Sequence, residues 1–427
     1  MSQGILNDLF TPITRDQRQE EAVKRWLEAK GKATIVAATG FGKTRTAIKV
    51  IKKLRIKYPN LSVLIVVPTD LLKKQWSAEL LNWNIEYNTE VKVMMGASKK
   101  QLECDLLIID EAHRINSECI SSIFENTKFK LILGLTATFE RLDGRHEILA
   151  KYAPVCDTIT LHDALLNGWI SKYKDYVVLL DVPDIDIYKG YNKEFIQHFE
   201  YFQFNWSLVM SMIGKNGFIN RAKYRDEICK DPSRSKEVFK DITYHATAFM
   251  RALQNRKKFV FNHPEKIRVA EEIIAARPNS KIITFSANVS MAESFKEGYV
   301  YTGKNGKKKN RATLEEFAMW PSGCLHTCRL AEEGLDLPEL SVGIMLGVNS
   351  SKTKQIQTLG RVVRLNKDKT AEFFTIVINN TVETEWMNNS RSDNNFEVID
   401  EANLMKVLKG EPYETYKKSI QKFVYRF

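Results

Sequence analysis

One stretch of the chain, KATIVAATGFGKT from Lys32 to Thr44, constrains the fold more than any other. It joins a short run rich in β-branched residues to the segment TRTAIKVIKKL, in which apolar residues recur at helical spacing. The connecting turn contains Gly40 and Gly42, which can adopt positive φ angles and direct backbone N–H groups inward. A strand, a glycine-containing turn and a helix in this order predict a phosphate-binding site at the helix N-terminus.

This turn departs from the pattern GxxxxGK[ST] at one position, because Ala37 stands where the first glycine is expected. Alanine is compatible with that position unless a positive φ angle is required. Lys43 is expected to contact the β and γ phosphates of a nucleotide, the Thr44 hydroxyl to hold Mg²⁺, and Thr39 to contribute to the same loop. On this stretch alone, the alternative is a glycine-rich turn with a lysine that occurs there by chance.

Two adjacent acids, Asp110 and Glu111, stand at the end of the apolar run LLIID. The carboxyl ends of parallel strands meet at one edge of a sheet, so these acids are expected to face the same crevice as the glycine turn. Asp110 is then placed to hold Mg²⁺ through its water shell, and Glu111 to orient and deprotonate an attacking water. Adjacent acids are common by chance, but acids that end an apolar strand after such a turn are not.

Apolar runs alternate with helical patterns in two series, which predicts an α/β protein with two parallel-sheet units. The first series covers about residues 32–135, and the second extends from SKIITFS to EFFTIVI. The charged and aromatic-rich segment between them predicts a helical insertion, with a plain connector as the alternative. Aromatic residues recur there at helical spacing and favour a core role over a base-stacking wedge; they are Phe195, Phe199, Phe202 and Trp206.

The predicted domains follow from these series. They are residues 1–180 for the first unit, 181–262 for the helical insertion, 263–385 for the second unit and 386–427 for a C-terminal tail.

Composition indicates a soluble protein, and its positive charge is compatible with a polyanionic partner. The 427 residues include 64 Lys and Arg against 52 Asp and Glu, a formal charge of +12. A solvated basic surface without such a partner is the alternative. The segment Gly303–Arg311, GKNGKKKNR, predicts a basic loop that could follow a phosphate backbone. The N-terminus lacks a signal-peptide pattern, which predicts a cytoplasmic protein, and no dimerisation heptad is visible, so we expect a monomer.

The stretch QTLGRVVR, Gln357 to Arg364, lies in the second unit. Arg361 and Arg364 are three residues apart and so share a helix face. Guanidinium groups can compensate the charge that spreads over the oxygens of a transferring phosphoryl group. If these arginines act in this way, the site forms only when the two units close, and hydrolysis is coupled to domain motion. The alternative is a surface pair that forms salt bridges.

The motifs together resemble those of superfamily 2 helicases and translocases. The chain has AATGFGKT, DEAH at Asp110–His113, TAT at Thr136–Thr138, EEGLDLP at Glu332–Pro338 and QTLGRVVR, in the order and rough spacing of that family. The similarity extends over about Thr14 to Leu365, and alanine at the first loop position is usual in the family. It implies two tandem RecA-like (P-loop) parallel-sheet domains with a helical insertion between them, ATP and Mg²⁺ as cofactors, and DNA as partner.

The resemblance also implies roles for single residues around the nucleotide. It implies contacts to ATP and Mg²⁺ for Thr39, Gly40, Gly42, Lys43, Thr44, Asp110 and Glu111. From the second domain, it implies catalytic contacts for Gln357, Arg361 and Arg364. Gln17 matches the adenine-sensing glutamine and Arg15 a neighbouring position. His113, Thr136 and Thr138 match residues that link hydrolysis to domain movement.

For the nucleic acid, the resemblance implies mostly backbone contacts. Gly334 and Asp336 match a motif that contacts both nucleotide and nucleic acid. Positions that contact the phosphate backbone are matched by Thr69, Ser286 and Thr327, and an Arg-x-Asp element tied to DNA unwinding is matched by Arg141 and Asp143. Hydroxyl contacts to phosphates carry no sequence information, so little sequence specificity is expected. The stretch MMGASKK replaces the signature expected before DEAH.

Within the superfamily, GLTATFERLDGR resembles the TATxxRxD stretch of the DNA-directed XPB, RecG and UvsW types. The compact length resembles phage-encoded recombination and branch-migration helicases. We therefore predict an ATP-dependent DNA helicase or translocase that unwinds or branch-migrates forked or junction DNA in recombination, repair or replication. The alternatives are an RNA helicase, an ATP-gated nucleic-acid clamp or annealer without strand separation, and the motor subunit of a nuclease complex.

Overall fold

Two parallel sheets and a helical segment make up the described part of the protein, and the two sheets confirm the predicted fold class. The helical segment lies within the second unit and not between the units, because strands of the second sheet flank it on both sides, Tyr173–Leu180 before it and Lys281–Ser286 after it. The computed structural model describes residues 13–111, 117–137, 146–170, 172–328, 340–348, 370–390 and 396–416.

The first unit alternates helices and strands. Its helices are α1 (Arg15–Glu28), α2 (Lys43–Lys57), α3 (Asp70–Asn82), α4 (Met94–Ala97), α5 (Ser117–Asn126), α6 (His146–Tyr152) and α7 (Leu161–Leu166). Its strands are β1 (Lys32–Ala37), β2 (Val63–Val67), β3 (Thr89–Val93), β4 (Leu102–Asp110), β5 (Thr127–Thr136) and β6 (Val155–Ile159). All of β2 and all but the first residue of β1 are buried, as expected for parallel strands covered on both faces.

The order of the strands in this sheet is β3-β2-β4-β5-β1-β6, and every pair is parallel. Strand β5 lies between β1 and β4. In its register, Thr136 pairs with Val36 of β1, and Leu135 pairs with Asp110 of β4. The glycine turn after β1, Thr136 and Asp110 are therefore neighbours at the carboxyl edge of the sheet.

Helix α1 is fixed beside β6 by buried charge. Thr14 caps the helix, and Arg18 donates two hydrogen bonds to the Asp157 carboxylate at 2.6 and 2.7 Å. Arg25 donates to the same carboxylate at 2.5 Å. Bidentate, charge-assisted bonds of this kind define orientation as well as position. They hold α1 against the sheet, next to the glycine turn.

The predicted helical insertion follows strand β7 (Tyr173–Leu180). Its helices are α8 (Ile185–Glu200), α9 (Trp206–Ser211), α10 (Gly217–Ile228) and α11 (Ser235–Asn262). Phe195, Phe199 and Phe202 are buried and pack with Phe249 of α11, so the core interpretation is confirmed for these three. Trp206 contacts Phe199 and Phe249 edge-on but remains 48% exposed. The predicted aromatic stripe therefore ends at the surface.

The second unit is a larger parallel sheet. Its helices are α12 (Pro264–Ala275), α13 (Val289–Glu293), α14 (Lys307–Met319), α15 (Val382–Ser390) and α16 (Glu401–Lys409). Its further strands are β8 (Lys281–Ser286), β9 (Tyr299–Tyr301), β10 (Gly323–Cys328), β11 (Val342–Met345), β12 (Ala371–Ile378) and β13 (Glu397–Asp400). The strand order is β13-β7-β12-β11-β8-β10-β9, again with parallel pairs throughout.

The sheets divide the chain differently from the predicted domain boundaries. Strand β7 lies within the predicted first unit, 1–180, but pairs with β12 and β13 in the second sheet. Strand β13 and α16 lie in the predicted tail, 386–427, yet Leu404 and Val407 of α16 belong to the core of the second sheet. The pairing partners of β7 lie far away in the chain, so local patterns do not reveal them.

The segment Gly303–Arg311, predicted as a loop, is helical from Lys307 onward. Its helix α14 continues to Met319 and is anchored by Phe317, which is fully buried. The anchor residue lies C-terminal to the basic stretch, which explains why that stretch alone indicates a loop.

The cysteines Cys104, Cys119, Cys156, Cys229, Cys324 and Cys328 are free thiols. None of the helices within the described ranges combines the length and the apolar character needed to cross a membrane.

Candidate active site

The glycine turn after β1 adopts the backbone conformation that its sequence predicts. Gly40 and Gly42 have φ angles of 88° and 97°, which residues with a side chain rarely adopt. Gly42 is also the N-cap of α2, and a Cβ atom on it would lie 2.8 Å from both Arg15 Nη2 and Gln19 Nε2. The φ angle therefore favours glycine at position 42, and a side chain there would also displace the ends of Arg15 and Gln19.

Two side chains of α1 hold this turn from one side. Arg15 donates from Nε to the Phe41 carbonyl at 2.6 Å and from Nη2 to the Gly40 carbonyl at 2.7 Å. Gln19 donates from Nε2 to the Phe41 carbonyl at 3.0 Å. Because the C=O and N–H of one planar trans peptide point in opposite directions, the N–H of Gly42 is directed away from α1. The two side chains thus set the direction in which the turn presents a donor.

The structure brings Arg15 to the turn but gives Gln17 another contact. Gln17 Oε1 accepts a hydrogen bond from the Thr14 N–H at 2.7 Å, and the Thr14 hydroxyl accepts one from the Gln17 N–H at 3.2 Å. This is a capping box. Gln19, which sequence reasoning missed, contacts the turn instead, and its i, i+4 spacing from Arg15 was the available signal. The adenine-sensing role of Gln17 stays a prediction.

Lys43, the first residue of α2, extends across the turn. Its Nζ atom lies 3.4 Å from the Ala37 carbonyl and 3.7 Å from Glu111 Oε1. These are long contacts for an ammonium group, so a phosphate can replace them with stronger ones. Thr39 Oγ1 in the same turn is buried and has no hydrogen-bond partner among the described residues. Thr44 follows Lys43 in the first turn of α2, where backbone N–H groups have no intrahelical acceptor.

Strand β4 ends at Asp110, and both oxygens of this carboxylate accept hydrogen bonds. Oδ2 accepts from the indole Nε1 of Trp76 at 2.8 Å, and Oδ1 accepts from the Glu111 N–H at 2.9 Å. Glu111 has a φ angle of 49°. Such left-handed, non-glycine residues are strained and concentrate at functional sites. Sequence reasoning missed Trp76, which has no motif of its own and is buried on α3.

Burial dominates the electrostatics of Asp110. Removal from water, followed by the neighbouring charge of Glu111, raises the pKa of Asp110 to about 6. The hydrogen bond from Trp76 and the charge of Lys43 act in the opposite direction. Lys43 faces Glu111, so Asp110 is a buried carboxylate that a bound cation would stabilise.

The oxygen atoms at this edge fit Mg²⁺, which binds proteins through one or two carboxylates together with water and substrate phosphates. Each Asp110 oxygen accepts one hydrogen bond from the protein and keeps a lone pair for a metal-bound water. The Thr44 hydroxyl is the second candidate oxygen. Within the described part of the chain, no group of three or more His, Cys, Asp or Glu side chains could hold a metal ion. An ion here would thus depend on water and phosphate oxygens.

The glycine turn also contacts the segment that leads to the second sheet. Phe41 is fully buried, and its ring packs edge-to-face on Trp169 with 5.6 Å between centroids. Trp169 lies between α7 and β7, and its indole N–H donates to the Ile13 carbonyl at 2.8 Å. The turn, the start of α1 and the connection between the sheets therefore pack as one unit.

Thr136, a predicted coupling residue, is fully buried at the end of β5 between the glycine turn and Asp110. Other predicted site residues lie outside the described residues; they are His113, Thr138, Arg141, Asp143, Gly334, Asp336, Gln357, Arg361 and Arg364.

The three described positions predicted to contact a nucleic-acid backbone have different surroundings. Thr69 is the partly exposed N-cap of α3, and its hydroxyl accepts from the Leu72 N–H at 3.3 Å. Ser286 ends β8, and its Oγ is buried without a partner among the described residues. Thr327 is fully buried in β10, and its hydroxyl donates to the Thr284 carbonyl at 2.7 Å. This conformation does not expose Thr327 to a partner, because its hydroxyl serves the sheet.

Two protein families match the chain. The family described as "Type III restriction enzyme, res subunit" matches residues 13–105 and 97–141, which include the glycine turn and both acids. The family described as "Helicase conserved C-terminal domain" matches residues 265–366. Together the matches cover more than half of the chain and include parts of both sheets.

Relatives with similar sequences include DNA translocases. The DNA 3'-5' translocase XPB2 of Sulfurisphaera tokodaii is 27% identical over 415 residues, which covers 90% of this chain and 87% of the relative. The general transcription and DNA repair factor IIH helicase/translocase subunit XPB of Danio rerio is 22% identical over 405 residues. That match covers 88% of this chain but 46% of the relative, so the chain spans about half the length of the Danio rerio protein.

Among solved structures, S. cerevisiae Dbp5 bound to RNA and ADP BeF3 has a similar fold. The TM-score is 0.57 at 13% identity, and the match covers 92% of this chain and 91% of that one. At this identity the likeness concerns the fold alone, and it confirms the predicted fold class of two RecA-like parallel-sheet domains.

Proposed function

We propose that the chain is a superfamily 2 member and an ATP-driven DNA translocase that remodels forked or branched DNA, and its two family matches support this. The observation that carries this proposal is the placement of Lys43, Asp110 and Glu111 at one edge of the first sheet. Similarity to the DNA 3'-5' translocase of Sulfurisphaera tokodaii over 90% of the chain supports DNA as the substrate. Action in recombination, repair or replication is part of the proposal.

In this proposal the residues of the first sheet divide the chemistry of ATP hydrolysis between them. Lys43 and the N–H groups at the start of α2 bind the β and γ phosphates. Thr44 and Asp110 would hold Mg²⁺, which when bound would offset the negative charge of the phosphates. Glu111 orients the attacking water and accepts its proton. The contact of 3.7 Å between Lys43 Nζ and Glu111 Oε1 supports a common site for these groups.

Coupling to movement requires residues of the second domain. We assign Arg361 and Arg364, with Gln357, to the γ-phosphate side of the closed site. The packing of Phe41 on Trp169 supports such coupling, because it joins the glycine turn to the connection between the sheets.

The nucleic acid is proposed to bind mainly through its backbone. Thr69 at the N-cap of α3 and Ser286 at the end of β8 both lie at carboxyl ends of parallel strands. The formal charge of +12 favours a polyanion. Contacts of this kind predict affinity that falls with salt and depends little on base sequence.

The proposal is tested by measuring steady-state ATP hydrolysis at one salt concentration. The cofactors to compare are single-stranded DNA, duplex DNA, a fork, a four-way junction and single-stranded RNA, with Lys43→Ala as the inactive control. We expect the fork or the junction to stimulate hydrolysis most. Stimulation by RNA alone would replace the DNA assignment and keep the ATP site. Weak hydrolysis with ATP-dependent retention on DNA would instead favour a clamp.

A further inference from the structure

The hydrogen bond between Trp76 and Asp110 connects two sites that the proposed function treats separately. Trp76 is buried on α3, and its Nε1 lies 2.8 Å from Asp110 Oδ2. The other carboxylate oxygen is bound by the Glu111 N–H at 2.9 Å. Because the Trp76 indole of α3 binds one oxygen and the Glu111 N–H binds the other, the two bonds fix the plane of the Asp110 carboxylate. The remaining lone pairs therefore point in fixed directions.

A structural role alone does not explain this choice of acceptor. A buried indole N–H needs a partner, but a backbone carbonyl satisfies it equally well. Trp26 and Trp169 are bound in that way, to the carbonyls of Ile132 and Ile13. Trp76 instead donates to a buried carboxylate at the catalytic edge, where the bond restricts the orientation of a candidate metal ligand.

Helix α3 connects this bond to the predicted DNA contact. Thr69 is the N-cap of α3, and Trp76 lies seven residues further on, about 10 Å along a helix. Rigid secondary elements can carry coupling between sites. Through α3, a shift of the Thr69 end would reach the indole and the carboxylate that it holds.

We propose that Trp76 is a positioning residue that aligns Asp110 for Mg²⁺ and, through α3, couples DNA contact at Thr69 to the metal site. The inference rests on the proposed function, in which Asp110 serves Mg²⁺ and Thr69 contacts DNA. It adds the residue that connects them.

The test removes the N–H and keeps the shape of the side chain. Trp76 is replaced by 3-benzothienylalanine, in which sulfur takes the place of the N–H, and in parallel by the encoded variant Trp76→Phe. The matched control is Trp83→Phe at the C-cap of α3, where the indole N–H donates to Glu79 at 3.2 Å and not to Asp110. Thermal unfolding verifies that each variant is folded.

The first readout is the binding of a fluorescent ATP analogue as the Mg²⁺ concentration is varied, with no hydrolysis required. Loss of a partner of a metal ligand typically weakens metal binding about 10–100-fold. We expect the half-saturating Mg²⁺ concentration to rise about tenfold or more in both Trp76 variants and to stay unchanged in Trp83→Phe. An unchanged Mg²⁺ dependence in a folded 3-benzothienylalanine variant would overturn the positioning role.

The second readout is the ratio of DNA-stimulated to basal ATP hydrolysis at saturating Mg²⁺. Coupling through α3 predicts a lower ratio in the Trp76 variants, and an unchanged ratio would refute the coupling. If the unmodified protein shows no DNA-stimulated hydrolysis at all, the proposed function fails, while the Mg²⁺ dependence of nucleotide binding still decides the role of Trp76.

Discussion

Each sheet has a buried carboxylate near its carboxyl edge, and the two are stabilised in different ways. Asp110 is held by two neutral N–H donors, and Lys43 faces Glu111 instead. In the second sheet, Lys266 Nζ lies 2.7 and 2.6 Å from the two oxygens of Glu383. Both residues of that pair are fully buried. One carboxylate is left for a ligand, and the other is neutralised within the protein.

This difference indicates that Asp110 is available to a ligand, whereas Glu383 has a structural role. Burying a carboxylate without a close cation lowers stability, a cost that active sites often carry. Lys266 also donates to the Leu346 carbonyl at 2.9 Å, and Glu383 accepts from the Ile378 N–H at 3.2 Å. Those two atoms belong to the chain just after β11 and to the end of β12. The pair therefore holds the carboxyl ends of β11 and β12 together, whereas the acids of the first sheet remain available to a ligand.

The largest expected effect is on catalysis at the first site. Glu111→Gln removes the proposed base and keeps the shape of the side chain. We expect the rate of ATP hydrolysis to fall about 10²–10⁴-fold, because a positioned base typically contributes that much. Nucleotide binding should persist, and thermal stability should not decrease.

Single-turnover hydrolysis and binding of a fluorescent nucleotide measure the two quantities separately. Glu118→Gln, an exposed acid on α5, is the matched control and should behave like the unmodified protein. Near-normal hydrolysis by Glu111→Gln would contradict the assignment of the base.

The next effect is on stability at the second site. Lys266→Met leaves Glu383 buried without its cation, so we expect the free energy of unfolding to fall by about 3–5 kcal/mol. Adding Glu383→Gln removes the unpaired charge and keeps an acceptor for the Ile378 N–H. Urea unfolding should therefore show the double variant recovering part of the loss. Equal losses in the single and double variants would show that charge neutralisation is not the reason for the pair.

A third prediction uses the pH dependence of the Asp110 site in metal-free buffer. Burial raises the pKa of Asp110 from 3.8 to about 6, so the folded state binds this proton more tightly than the unfolded state does. Stability due to this group is therefore present at low pH and is lost as the pH rises from about 4 to about 6. Relative to Asp110→Asn, the unmodified protein should lose up to about 3 kcal/mol across that interval.

Urea unfolding of both proteins at several pH values tests this, because titrating groups that do not interact with Asp110 cancel in the difference. A difference that does not change with pH would mean that Asp110 titrates normally in the folded protein. Adding Mg²⁺ and nucleotide should reduce the pH dependence.

Much of the fold and of the first site could be predicted from the sequence, because the strands, the glycine turn and the two acids have recognisable patterns. The β-branched runs predicted strands of both sheets, and Gly40 and Gly42 predicted a turn with positive φ angles after the first strand. The placement of Asp110 beside that turn followed from the rule that carboxyl ends of parallel strands share one edge. The strands and the turn require only neighbours in the chain, and the placement of Asp110 requires only that the strands be parallel.

The features that sequence reasoning missed depend on distant contacts or on competition between local ones. Strand β7 joins the second sheet through partners far along the chain. Gln17 and Gln19 are two glutamines at the start of α1, and the sequence does not show which one contacts the turn. In the structure Gln17 completes the capping box of α1, and Gln19 donates to the turn. In the sequence Trp76 is an apolar helix residue like many others, and only the three-dimensional structure shows that its indole donates to Asp110 at the end of β4. The ion pair of Lys266 and Glu383 joins two helices that no motif connects.

The smallest effects should separate two hydroxyls within the second sheet. Thr327 donates to the Thr284 carbonyl, so Thr327→Val should lower the free energy of unfolding by about 1 kcal/mol. The Ser286 hydroxyl has no partner among the described residues, so Ser286→Ala should leave stability unchanged or raise it slightly.

For DNA affinity we expect the opposite order of the two substitutions, because a hydroxyl that is hydrogen-bonded within the sheet is not available to a phosphate. Ser286→Ala should weaken DNA binding by about 1 kcal/mol, which is about fivefold, and Thr327→Val should leave it unchanged. Fluorescence anisotropy with a labelled fork at fixed salt, together with urea unfolding, measures both quantities. A Thr327→Val variant that keeps its stability and loses DNA affinity would place the DNA contact on Thr327. The carboxyl edge of the second sheet would then present side chains to a ligand, as the carboxyl edge of the first sheet does.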